Sequence, residues 1–117
     1  MADLDSRRAA IASRLRTARE TAGLSQGQAA KILGVHRPSV TEMESGRRKV
    51  SAEELTELAR IYGVKVSWLA CEDVETPDPD RDRIELAARE LSKMKPEDRK
   101  RLIELLVALQ TEGDTQT

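Results

Sequence analysis

The sequence predicts an all-α protein, and three observations carry that prediction. Apolar residues recur at helical spacing along most of the chain. Glycines and Ser-x-x-Gln or Ser-x-x-Glu patterns punctuate them where helices would end and begin. Aromatic residues make up only 2% of the 117 residues, Tyr62 and Trp68 with no Phe. A core built from Leu, Ile, Val, Ala and Met favours helices over a β-sandwich, whose strands want aromatic and β-branched residues.

The helices follow in order. Ile11, Leu15, Ala18 and Ala22 fall at i, i+4, i+7 and i+11 and predict a first helix over 5–22, ended by Gly23. Ser25 with Gln28 forms a capping-box pattern that opens a second helix of about two turns, closed by Gly34. Pro38 suits the first turn of a third helix, where a missing backbone donor costs nothing, and Val40 and Met43 supply its inward face before Gly46. Ser51 with Glu54 repeats the capping box. Leu55, Leu58, Ala59 and Tyr62 continue that helix to Gly63, and Ser67 is placed to cap a short fifth helix carrying Trp68 and Leu69. Ile84, Ala87, Ala88, Leu91 and Met94 predict a sixth helix, and Pro96 opens a seventh that runs to about Leu109.

Charge divides the chain. Residues 1–71 carry 12 Lys/Arg and 8 Asp/Glu, a net of +4, whereas residues 72–117 carry 8 and 13, a net of −5. A basic module that meets a polyanion, joined to an acidic module with another task, fits this division. Between them, residues 72–80 hold two prolines and five acids and read as an extended linker. The expected organisation is a five-helix module at 1–71, the linker at 72–80, a helical oligomerisation segment at 81–110 and a flexible tail at 111–117. The seventh helix is apolar over more than one stripe, so burial against a partner is expected, with Leu91, Leu102, Leu106 and Leu109 as the dimer core.

Other classes lack their residues. One cysteine, Cys71, excludes an internal disulfide, and the lone His36 leaves too few soft ligands for a zinc site. The acids at 72–82 lack the alternating pattern and central glycine of a calcium loop. No nucleophile has a base beside it, so no enzyme, metal or cofactor is expected. With no apolar run long enough to cross a bilayer and no signal-like start, a cytoplasmic location without membrane contact is expected.

The informative stretch is Leu24 to Arg48: two short helices of small and aliphatic residues joined by a tight turn at Gly34. In this geometry one helix crosses a phosphate backbone while the next enters a major groove. Leu15-Arg16, Arg19, Gly23-Leu24-Ser25-Gln26, Ala30, Leu33-Gly34-Val35 and Glu44-Ser45-Gly46-Arg47 stand in the order and spacing of one family. Over residues 11–70 the chain resembles the lambda-repressor-like helix-turn-helix regulators, also called the Xre family. Pro38 departs from the pattern, which usually has a small polar residue there.

The resemblance implies a five-helix DNA-binding domain followed by a C-terminal helical dimerisation segment. It further implies a transcriptional regulator, a repressor that binds a two-fold symmetric operator in double-stranded DNA as a homodimer. Gln26 matches a phosphate-bonding position at a helix start. Arg37, Pro38, Ser39, Thr41 and Glu42 match groove-facing positions, Arg37 suited to guanine, Glu42 to cytosine and Thr41 offering a methyl or hydroxyl. Arg19 and Glu44 match a pair in which the arginine bridges the carboxylate and a phosphate. Arg47 and Arg48, with Lys49, form a positive run placed to meet phosphates. Arg14 and Arg16 are weaker candidates for phosphate contact, since an arginine of the first helix can simply lie on its outer face. An alternative is an antitoxin or protease-controlled switch with a toxin or metallopeptidase as protein partner: the run Glu44–Leu55 looks like that of regulators accompanying ImmA/IrrE-type metallopeptidases.

Overall fold

In the computed structural model, which describes residues 4–115, the opening helix α1 spans Leu4–Thr21. It is followed by α2 (Gln26–Leu33), α3 (Arg37–Ser45), α4 (Ala52–Tyr62), α5 (Val66–Leu69), α6 (Pro79–Lys93) and α7 (Pro96–Thr115). The described residues contain helices and no strand, an all-α architecture with a C-terminal helical region.

The local signals act where the sequence places them. Ser25 and Gln28 close a reciprocal capping box at α2, and Ser51 and Glu54 do the same at α4. Pro38 sits in the first turn of α3, whose N-cap, His36, makes no side-chain cap bond. Gly34 ends α2 with φ 83 and Gly46 ends α3 with φ 77, left-handed values that glycine adopts without steric cost. Gly46 also lies against α1, where an added Cβ would stand 3.7 Å from Ala9 Cα.

Three boundaries differ from expectation, each for a local reason. Ser67 lies inside α5 and does not cap it: the N-cap is Lys65. Helix α6 starts at Pro79, ahead of the apolar pattern, because the Asp78 side chain accepts from the Asp80 amide at 3.0 Å and proline fits the turn that follows. Helix α7 passes Leu109 and continues through Thr115, since no proline interrupts it and Gly113 stays out of the left-handed region. Gln116 and Thr117 of the expected tail lie outside the described residues.

The chain divides into two units, one ending at Leu86 and the other beginning at Ala87. The core of the first joins Leu15, Ala18, Ala29, Met43, Leu58, Ala59, Tyr62, Trp68, Leu69 and Leu86. Leu86 is the notable member, because it lies beyond residues 72–80 and brings the start of α6 into the same unit as α1–α5.

A buried arginine explains much of this. Arg14, by sequence either a weak candidate for phosphate contact or an outer-face residue, is only 1% exposed. Its guanidinium donates to Asp82 at 3.2 Å twice, to Asp73 at 2.6 and 3.0 Å, and to the Trp68 carbonyl at 2.7 Å, and it lies 4.4 Å from the Trp68 ring centroid. Burial alone opposes its charge, but the bonds to Asp73 and Asp82 outweigh that and hold Arg14 above the ordinary arginine range. Cys71, beside this cluster, is buried in a left-handed conformation at φ 57, and burial pushes its thiol up.

No described residue of α7 is buried, and Ile103, Leu105, Leu106, Val107 and Leu109 are all exposed.

Candidate nucleic-acid interface

Helices α2 and α3 meet at the turn Gly34–His36, and α3 is two-sided. Val40 and Met43 point into the core, while Arg37, Pro38, Thr41 and Glu42 are exposed and Ser39 is half-buried. An eight-residue helix followed by a nine-residue one, the second presenting a polar face at its N-terminal half, has the dimensions of a groove-reading pair.

At the junction of α1, α2 and α3 the side chains form one network. Arg19 is buried and donates to Glu44 through Nε at 2.6 Å and Nη2 at 3.0 Å, with Nη1 donating to the Leu24 carbonyl at 2.8 Å. The bond to Glu44 raises the Arg19 pKa against the opposing effect of burial. Gln26 Nε2 donates to Glu44 Oε1 at 3.2 Å, and Thr41 Oγ1 donates to Gln26 Oε1 at 2.9 Å. The Arg19–Glu44 pair thus ties α1 to α3, and Gln26 and Thr41 extend it to the surface.

The remaining cations differ in freedom. The side chains of Arg37 and Arg47 are exposed and make no hydrogen bond or ion pair among the described residues. Arg48, grouped with Arg47 by sequence, is instead held by Glu54 through bonds of 3.1 and 2.8 Å. The same Glu54 accepts from the Ser51 amide in the α4 capping box, so Arg48 braces the turn between α3 and α4. Arg48 holds the Glu54 carboxyl below its usual range and is itself raised by it. Arg16 is exposed and pairs with Glu20 on its own helix. The run Glu44–Leu55 therefore has a folding role, ending α3 and starting α4.

Sequence reasoning missed Thr41 as a partner of Gln26, and Arg48 as a partner of Glu54. Glu54 was already marked as a capping residue, so an arginine six positions before it was the available signal; nothing in the spacing of Gln26 and Thr41 announces their contact.

An all-helical fold with this short helix pair, the second helix turning a polar face outward, defines a helix-turn-helix DNA-binding protein. Residues 10–70 match the family model described as a helix-turn-helix domain, and the chain belongs to that family. The crystal structure of the clp gene regulator ClgR from Corynebacterium glutamicum is similar, with a TM-score of 0.56 and 25% identity over 90% of this chain and 96% of that one. No curated protein matches the chain. No helix among the described residues is long and apolar enough to cross a membrane.

Proposed function

We propose that the chain is a transcriptional repressor that binds a two-fold symmetric operator as a homodimer. The observation that carries this reading is α3, which buries Val40 and Met43 and turns Arg37 and Glu42 outward next to Gln26 at the start of α2. Arg37 is the base-reading arginine, Glu42 a groove-facing acceptor, and Gln26 and Arg47 bond the phosphate backbone. Pro38 and Ser39 line the same face. Arg19 acts through Glu44, and Arg48 acts through the turn it braces, in place of the direct contact expected of it. The similarity to a gene regulator supports the regulatory role.

One recognition helix reads too few base pairs for useful selectivity, so doubling across a two-fold axis is part of the proposal. Exposed Leu106 and Leu109, with the half-buried Leu91 and Leu102, supply the apolar surface for it. An apolar face of this extent on a charged protein is stabilised by a second copy of itself.

Selection of bound duplexes followed by affinity measurement between low and physiological salt tests the reading. Affinity falls steeply with salt despite a sequence pI near 5.9, because local cations and not net charge set counterion release. A flat response, or no bound duplex, overturns it. Arg37→Ala loses ~1–3 kcal/mol of discrimination at one position per half-site, whereas Arg47→Ala weakens all sequences alike.

A further inference from the structure

We propose that Thr41 is a positioning residue for Gln26, fixing which end of that amide faces the DNA, and is not itself a reader of bases. The proposal rests on the DNA-binding reading above. A carboxylate only accepts, so Glu44, already held twice by Arg19, forces the Gln26 amide to turn its Nε2 toward Glu44 Oε1. That leaves Gln26 Oε1 on the opposite side, where the Thr41 hydroxyl donates to it at 2.9 Å. The same hydroxyl lies 3.3 Å from the Arg37 carbonyl, a longer bond to an oxygen on its own helix. One hydroxyl proton serves one strong bond, and the shorter contact links α3 to α2.

The consequence is chemical. With Oε1 turned to the Thr41 hydroxyl and one Nε2 proton given to Glu44, the donor that Gln26 has left is its second Nε2 proton. It is a donor at the first residue of α2, where the helix also concentrates partial positive charge. The ligand it suits is an anionic oxygen of the phosphodiester backbone. A rotated amide would offer its oxygen to the phosphate and repel it. Thr41, sited among groove-facing residues, therefore acts on affinity through Gln26.

The test uses the full chain, a selected operator duplex and a scrambled duplex of the same length. Thr41→Val keeps the shape and removes the hydroxyl. It lowers affinity for both duplexes by the same factor, about threefold to tenfold, the worth of one net hydrogen bond. Thr41→Ser, which keeps the hydroxyl, restores that loss. Adding Thr41→Val to Gln26→Ala costs nothing further, because the two act through one contact. In the chain without DNA, Thr41→Val raises the fast mobility of the Gln26 side-chain amide measured by NMR relaxation. A change in base preference at one position, losses that add in the double variant, or an unchanged Gln26 amide overturns the proposal while leaving the DNA-binding reading intact. A wild-type chain that binds neither duplex overturns both.

Discussion

The two units use apolar and charged residues in opposite ways. In the first, Leu15, Leu58, Leu69 and Met43 are sealed inside, and even an arginine is buried with its charge matched by Asp73 and Asp82. In the second, Leu105, Leu106 and Leu109 of α7 are exposed and the described ion pair, Lys93 with Glu90, lies on the surface of α6. A unit with a closed core needs only its own chain; one with an exposed apolar helix is complete when something covers it. On the dimer proposed above, the difference separates residues whose loss unfolds the protein from residues whose loss changes its association.

The sharpest way to break the comparison is Asp82→Ala. It leaves the buried Arg14 with one of its two carboxylates, and that remaining one, Asp73, is half-exposed. Removing one partner of a buried pair costs about 3–5 kcal/mol, so a large drop in unfolding midpoint is expected by denaturant titration. Unfolding unchanged by this substitution would show that the start of α6 is not tied to the first unit.

Leu106→Asp addresses the second unit. At an exposed site on the separate chain it has little effect on the unfolding of the first unit, but in a dimer contact it places an unpaired charge among leucines. Sedimentation is expected to give a monomer, with operator affinity down about a hundredfold through loss of the second half-site. A variant that stays dimeric moves the contact to the first unit. A truncation aimed at the same question has to keep Asp82 and Leu86, since a chain cut at Glu75 removes core as well as α7.

The smallest effect is that of pH. Arg14 holds Asp73 below the usual carboxylate range, and Arg48 does the same for Glu54. A carboxyl whose folded pKa is lowered contributes stability that is fully present above its unfolded value and disappears as the pH falls through the folded one. Stability is therefore expected to decline as the medium is acidified below about pH 4, where free carboxyls begin to protonate. Solvent screening keeps each contribution small, about 1 kcal/mol or less. Arg48→Met removes the larger share of the Glu54 part, leaving the share that Ser51 supplies, and makes the acid limb of a melting-temperature profile against pH less steep.

Helix positions were legible because short-range chemistry sets them: both capping boxes, Pro38 in its first turn and the terminal glycines all act within a few residues. The interior charge cluster was not. Arg14 meets its partners 59 and 68 residues away, and those partners sit in a run whose prolines and acids look solvated. Long-range charge pairing leaves no periodicity to read. The helix-turn-helix segment lay between these cases, since its cluster of motifs marked Gln26, Arg19 and Glu44, but their shared hydrogen bonds and the bond from Thr41 depend on how three helices meet.

Trp68 gives the Arg14 cluster a visible signal. It is the chain's one tryptophan, buried, with its Nε1 lacking a hydrogen-bond partner among the described residues and a guanidinium stacked over its ring. An indole so enclosed emits toward the blue, and its spectrum responds to the cation above it. Intrinsic fluorescence thus watches one spot, the place where α1, α5 and the start of α6 share a charge, with no label added and no second emitter of its kind to confuse the reading.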